Sequence, residues 1–426
     1  MPNFDGVNGY GEKNLPPDDE LRTALLKYTR QNMTRQQQIA ALGKDFGVQI
    51  GLTLLRKIKL RLDIPTVRTQ KLSVEAVTQA VINKVGKDPA SSHGPAFIKD
   101  QLRLKMIFVP RQVSVLPASL SITNMLTLET LSDKLWSNAT LMASTFAFLG
   151  REGAASFVSF FGQALRMGGV GFSIYAYKDK YTDSVLWIKV FPDVRSAGAG
   201  GHIFLDFVED TGFIPIQLTT DKGSEVGWMY AFMSALRASY APDINSNLYP
   251  FHVLIKSVHN TVIEGFWRHL KEKLGLNLKD YLLRGKTEHL YNPHNRFHEP
   301  LFYWIFAPLI QHELDDFADW WNNHRVRHQH EKILPSGHVP SHAMEYPELF
   351  GALDCRIRVP HEAVEDLRME LNLAEGPKSQ FQAWPSLTAE FDVRASHIYF
   401  RLGEPELTMA NGWDIFTQMA TELERE

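Results

Sequence analysis

The chain has 426 residues, a length that predicts two or three domains. Apolar residues make up 44% and charged residues 22%, a globular composition that excludes wholesale disorder. The single cysteine, Cys355, excludes an intramolecular disulfide and any multi-cysteine zinc site, and it fits a reducing compartment. Asp5 and Glu12 lie where a signal peptide has an apolar run, and no uncharged stretch reaches ~18 strongly apolar residues, so we expect neither a secretion signal nor a membrane span.

The charge of the chain is unevenly distributed. The formal net charge is −3, but residues 21–111 hold 17 Lys and Arg against 5 Asp and Glu, a local charge of +12. The rest of the chain therefore carries −15. A basic front end on an acidic body predicts a polyanion-binding module attached to a second unit.

Residues 1–20 are rich in Gly, Pro, Asn and Asp and predict a flexible N-terminus. Helical patterns begin at Leu21 and again after Thr34, a predicted N-cap, and Gly47 separates the second helix from a basic third one. This order predicts a helix-turn-helix over residues 21–69, with an ordinary small helical bundle as the alternative. The cations expected to face DNA are Arg56, Lys57, Lys59 and Arg61.

Residues 70–111 predict a second helix-turn-helix or winged unit. A helix follows Ser73, a Gly-Pro break at Gly94 precedes a basic helix, and a short β-branched run leads to Pro110. Residues 112–156 differ, because they have few charges and neither helical nor strand periodicity over most of their length. We expect an irregular linker there.

Residues 157–351 alternate between strand and helix patterns, which predicts a mixed sheet with flanking helices. Two strands, FSIYAYKD and SVLWIKVFP, precede a helix that ends at Gly212 and a strand that ends at Asp221. A long aromatic helix follows later, and we expect Pro308 to kink or split it. Residues 352–426 predict a small acidic C-terminal extension with a helix, EAVEDLRMELNLA, and a strand, ASHIYFRL.

Two carboxylates stand out in the α/β region. Asp221 ends a strand, and Glu264 lies in mid-helix on a polar stripe with Asn260, Arg268 and Lys271, opposite an apolar face. In such an arrangement the carboxylate would coordinate a metal ion, while the neighbouring amide and the two cations hold a phosphodiester backbone. The alternative, which the pattern alone favours, is a surface Glu-Arg pair worth ~0.3–0.5 kcal/mol.

Three stretches, PIQLTTDKGSE, SVHNTVIEGFWRHLK and WWNNHRVRHQHEKILPSGHVP, resemble the integrase core of transposon-derived and retroviral-type enzymes. More closely, the chain resembles fungal integrase-core proteins that carry N-terminal helix-turn-helix units. The resemblance covers residues 162–351 well and residues 21–111 reasonably. It implies an RNase H-like fold and an Asp-Asp-Glu triad that uses two Mg²⁺ or Mn²⁺ ions.

The resemblance also implies roles for single residues. Asp221 matches the second catalytic aspartate and Glu264 the glutamate, so both would be catalytic metal ligands. The residues that would approach DNA in this region are Asn260, Lys222, Arg268 and Lys271. Carboxylates suit the chemistry because hard divalent cations prefer oxygen ligands, and two such ions activate the attacking oxygen and stabilise the leaving one.

The first aspartate of the triad has no counterpart. It should lie on the opening strand, where this chain has ASFVSFFG, and no Asp or Glu occurs between Glu152 and Asp179. Asp179 and Asp183 belong to the following hairpin, which similar enzymes carry as a non-catalytic element. A decayed element and wrongly joined coding segments would both explain the gap.

The chain is therefore predicted to be a DNA-binding integrase- or transposase-like protein whose ancestral cleavage and strand transfer are impaired. The alternatives are a non-enzymatic nucleic-acid-binding protein derived from an integrase and a protein-binding scaffold. The expected partner is DNA, and the expected location is nuclear or nucleo-cytoplasmic. We expect no membrane contact, and a homo-oligomer is one of the open possibilities. Histidines that suggest zinc are better explained as structural or phosphate-facing; they are His294, His298, His324, His328 and His330.

Overall fold

The computed structural model places most of the chain. The described residues are 15–109, 154–157, 171–192, 194, 196–220, 226–254, 261–330 and 335–425. Residues 154–157, 261, 262 and 264 are described at the level of the backbone.

Three helices form the N-terminal unit: α1 (Asp18–Arg30), α2 (Arg35–Phe46) and α3 (Leu52–Arg61). Thr34 caps α2, since its hydroxyl accepts from the Gln37 amide while the Gln37 side chain accepts from the Thr34 amide. Gly47 ends α2 in the left-handed region, with φ 66°. The predicted order of helix, glycine turn and helix is confirmed. Residues 18–20, predicted to be flexible, are helical because three acidic side chains favour the positive end of the helix dipole.

The second helical unit consists of α4 (Val74–Val85) and α5 (Pro95–Leu104). The helix predicted to follow Ser73 is present, and the Ser73 hydroxyl caps it by accepting from the Ala76 amide at 3.2 Å. The expected wing strand does not form within residues 105–109, because the Gln70 side chain satisfies both the amide and the carbonyl of Phe108. Six of the ten α5 residues are buried, so this basic helix packs against the body.

A five-stranded sheet forms the centre of the α/β region. Its strands are β1 (Ala154–Phe157), β2 (Ser173–Asp179), β3 (Val185–Phe191), β5 (Gln217–Thr220) and β6 (His252–Leu254). Their order is β3-β2-β1-β5-β6, antiparallel up to β1 and parallel from β1 onward. This is the RNase H-like arrangement that the resemblance implies. The first strand begins at Ala154, inside the predicted linker, because pairing on both sides makes a strand of residues with little strand propensity.

Helices cover both faces of the sheet. On one face lie α6 (Ala197–Thr211) and α7 (Gly227–Tyr240). On the other lie α8 (Thr261–Leu270), a π-helical segment (Lys271–Gly275), α9 (Leu276–Thr287) and α10 (His298–Asn323). The last of these runs unbroken through Pro308, so of the predicted kink or split the structure excludes the split. Burial of Phe306, Leu309 and Ile310 around the proline offsets the lost backbone hydrogen bond.

The C-terminal region wraps around this core. It contains α11 (Pro340–Glu345), a 3₁₀ turn (Pro347–Phe350), β7 (Ile357–Arg358), α12 (His361–Glu375), α13 (Lys378–Gln382), α14 (Ala389–Arg401) and α15 (Gly412–Arg425). β7 pairs with β4 (Phe213–Ile214), α12 packs on α6, and α14 and α15 pack on α10. The extension thus completes the cores on both faces of the sheet.

The predicted strand ASHIYFRL is wrong, because it lies in α14. Thr388 caps this helix by accepting from the Phe391 amide at 3.1 Å, and Phe391, Ala395 and Ile398 are buried at helical spacing. Packing therefore overrides a strand-like composition. Within the described residues, no helix has both the length and the apolar character needed to cross a membrane.

Candidate functional site

The parallel strands β1, β5 and β6 bring their carboxyl ends to one edge of the sheet, a common position for catalytic groups. The strand β5 ends at Thr220, directly before Asp221. Asp221, Lys222 and Asn260 lie outside the described residues. The approach of Asp221 to Glu264 therefore stays a prediction.

A buried hydrogen bond fixes the end of β5. The Thr220 hydroxyl lies 2.7 Å from Nε2 of His252 on the neighbouring strand, and the Tyr230 ring lies 5.5 Å from the imidazole. Burial lowers the pKa of His252 to about 4, so the ring is neutral near pH 7. This pair holds the residue before Asp221. Sequence reasoning missed it because nothing local links positions 32 residues apart.

The helix α8 has the two faces that its sequence predicts. Ile263, Phe266, Trp267 and Leu270 are buried, and Arg268 is exposed. Lys271, the first residue of the π-helical segment, is also exposed. Glu264 lies one helical turn before Arg268, and its backbone belongs to α8. Along the helix backbone, Glu264 precedes the two exposed cations by four and seven residues, the spacing of one helix side.

The opening strand carries no carboxylate in the described stretch Ala154–Phe157. Ser156 is in register with Thr219 of β5 and with Lys178 of β2. Lys178 is 1% exposed and is ion-paired with Asp183. The residue paired with Ser156 in the backbone register is thus a buried lysine that is ion-paired with Asp183 of the hairpin.

The carboxylate of Asp179 holds the hairpin turn. It accepts from the Thr182 amide and from the Thr182 hydroxyl, both at 2.6 Å. Burial raises the pKa of Asp179, and the hydrogen bonds from Thr182 lower it in part. Asp179 and Asp183 thus both serve the local structure of the β2–β3 hairpin.

The described residues do not themselves form a metal site. Nowhere in that part of the chain do three or more His, Cys, Asp or Glu side chains gather closely enough to hold an ion. Two of the candidate zinc histidines have structural partners instead. Nδ1 of His298 accepts from the Asn292 amide at 3.0 Å, and His324 stacks on Trp320 at 4.8 Å.

The four cations of α3 differ in their surroundings. Arg56 and Lys57 are exposed, whereas Arg61 pairs with Asp18 at 2.6 Å. Lys59 is half-buried and donates to the Gln38 side chain at 3.1 Å. Burial, with Arg35 nearby, lowers the pKa of Lys59. Arg56 and Lys57 are therefore the α3 cations that are exposed and without these contacts, whereas Lys59 is hydrogen-bonded within the three-helix unit.

Comparisons with known proteins show what parts of this chain are similar to. The Mos1 strand transfer complex is a similar solved structure, with 11% identity, coverage of 63% of this chain and 95% of that chain, and a TM-score of 0.17. A search of curated proteins finds no match. Residues 165–337 match the model of the integrase core domain family. The matched residues lie within the α/β region, whose strand order is RNase H-like, so this region is similar to an integrase core domain.

Proposed function

We propose that this protein is a mobile-element-derived, integrase-like protein that binds duplex DNA and whose strand cleavage and transfer are impaired. The observation that supports impaired cleavage is the opening strand. Its described residues are Ala-Ala-Ser-Phe, where the family resemblance requires a carboxylate. The family match begins at residue 165, downstream of this strand. A nuclear or nucleo-cytoplasmic location follows from a DNA partner and a single cysteine.

The impairment follows from the chemistry of the expected metal ions. Two ions side by side need a shared carboxylate, and Asp221 and Glu264 would leave most of their coordination to water and DNA. Mg²⁺ dehydrates reluctantly and needs near-octahedral geometry. Losing its stabilisation of the phosphoryl oxygens costs several kcal/mol, or roughly three orders of magnitude in rate.

The second candidate is a protein that only binds nucleic acid, and the same observation on the opening strand favours it. The two candidates differ in residual cleavage, and both differ from a protein-binding scaffold in their affinity for DNA. Exposed cations support DNA binding in both the N-terminal unit and the core. They are Arg56, Lys57, Arg268 and Lys271.

DNA binding is tested by measuring fluorescence anisotropy of a labelled duplex with the full chain at several salt concentrations. With about six phosphates contacted, log K falls against log salt with a slope near roughly −5. Replacing Arg56 and Lys57 by Gln should make the slope shallower by about 2, whereas Lys279→Gln with Lys286→Gln on α9 should leave it unchanged. No retention of DNA even at low salt would contradict the proposal.

A further inference from the structure

The N-terminal unit rests on the body through a second set of cations, distinct from those of α3. Lys27 and Arg30 lie in the last turn of α1, and Lys44 lies in the last turn of α2. Lys27 pairs with Glu345, Arg30 with Asp319 at 2.9 Å, and Lys44 with Glu348. We call these three cations the docked face.

The ion pairs of the docked face lie at the rim of the contact. The side chains of Lys27, Arg30 and Lys44 remain 50%, 47% and 44% exposed. Exposed pairs of this kind are individually weak and are screened by salt. The contact can therefore exchange its carboxylates for other anions.

The remaining contacts between the unit and the body are both polar and apolar. Arg103 donates to the Thr29 and Arg30 carbonyls at the end of α1 and to the Asn323 carbonyl at the end of α10. The Tyr346 hydroxyl donates to Asp45 at 2.7 Å, and its buried ring joins the apolar core of the unit. These contacts involve α1 and α2, so Arg56 and Lys57 of α3 stay exposed while the unit is docked.

We propose that the docked face is a second DNA-phosphate-binding surface, masked by the body through Asp319, Glu345 and Glu348. The inference rests on the proposed DNA binding and adds to it a competition between body and DNA. Its basis is charge complementarity, since three carboxylates occupy the places that backbone phosphates would take on a cluster of three cations. DNA bound first at α3 presents many phosphates close by and shifts the unit toward its undocked state.

The competition predicts a change in the salt dependence of DNA binding. The variant Asp319→Asn, Glu345→Gln, Glu348→Gln releases the docked face, so up to three more phosphates are contacted. Its slope of log K against log salt should be steeper by about 2–3 than that of the unmodified chain. A matched control, Glu362→Gln, Asp366→Asn, Glu370→Gln, changes three exposed acids of α12 by the same total charge. Its slope should equal that of the unmodified chain.

A second variant tests whether the steeper slope comes from the cations of the docked face or from the change in net charge of the protein. Adding Lys27→Gln, Arg30→Gln and Lys44→Gln to the released variant should restore the original slope. Equal slopes for the released and control variants, with the unmodified chain still binding DNA, would overturn the masked face and leave the proposed function standing. Absence of DNA binding by the unmodified chain and by the released variant would overturn both. Thermal melts of all variants establish that each is folded.

Discussion

Arg103 donates to backbone oxygens at the ends of two separate helices, α1 and α10, from a position in α5. It is 8% exposed, and burial lowers its pKa although Asp100 raises it. The C-terminal carbonyls of a helix lack partners within the helix, so this guanidinium satisfies groups that would otherwise be unpaired. Three parts of the molecule therefore depend on one side chain.

Replacing Arg103 by Lys should lower the free energy of unfolding by about 1–3 kcal/mol. A lysine keeps the charge but lacks the planar fork that reaches both helix ends. Urea unfolding followed by circular dichroism measures the effect. The control Arg284→Lys makes the same exchange in an exposed pair with Glu288 and should cost less than ~0.5 kcal/mol. Similar costs for the two variants would show that the bonds to the helix ends do not stabilise the protein.

His342 is expected to make stability depend on pH. It is 1% exposed, and both ring nitrogens lack a hydrogen-bond partner within the described residues. Burial lowers its pKa to about 4, from 6.5 in the unfolded chain. The unfolded state therefore binds the extra proton, and stability is complete above pH 6.5 and falls by roughly 3 kcal/mol as the pH drops toward 4.

The check is His342→Phe, which removes the titrating group and keeps an aromatic ring beside Tyr346 and Phe350. The loss of stability between pH 6.5 and 4.5, from urea midpoints, should be smaller in this variant than in the unmodified chain. His312→Phe, at an exposed position of α10, should leave that loss unchanged. Identical pH profiles for all three chains would rule out a contribution from His342.

At the scale of elements, α9 and α15 approach so closely that glycine is required between them. A Cβ at Gly285 would overlap the ring of Trp413, whose indole nitrogen donates to the Tyr281 carbonyl at 2.7 Å. Gly285→Ala should therefore destabilise the protein by about 1–3 kcal/mol or more, measured by thermal unfolding. Gly265→Ala in α8 meets no atom within 4 Å and should be neutral or stabilising by up to about 1 kcal/mol. Stabilisation by both substitutions would mean that the helices are not packed as described.

Elements with their own local signals could be predicted from the sequence. Thr34 caps a helix, Gly212 ends one in the left-handed region, and a short turn separates the hairpin strands β2 and β3. The errors arose where packing decides. The α10 helix passes through Pro308, and α14 forms from a strand-like run, because neighbouring helices bury their apolar faces.

The sequence was sufficient to predict the helix α8 of the candidate site, but not the long-range contacts around that site. The division of α8 into a buried face and an exposed stripe follows from spacing alone. The pairs Thr220–His252 and Arg103–Asn323 join residues far apart in sequence, so no local pattern indicates them. The absence of a carboxylate from ASFVSFFG was visible in the sequence, and within the described part of this stretch the register pairs Ser156 with Lys178.

At the scale of the whole molecule, a basic three-helix unit is docked on an RNase H-like α/β core, which the acidic C-terminal region completes. α12 closes one face of the sheet and α14 and α15 close the other, so the core depends on residues beyond the family match. The unit keeps Arg56 and Lys57 exposed, and the core keeps Arg268 and Lys271 exposed.

We expect the full chain to bind DNA without cutting it. The most direct measurement incubates the full chain with supercoiled plasmid and Mn²⁺ or Mg²⁺, and follows retention and nicking in the same reactions. Asp221→Asn is the control, because it removes the matched catalytic aspartate. We expect the plasmid to be retained and nicked no more by the unmodified chain than by the control. Nicking by the unmodified chain that disappears in Asp221→Asn would contradict the claim and show that another carboxylate completes the site.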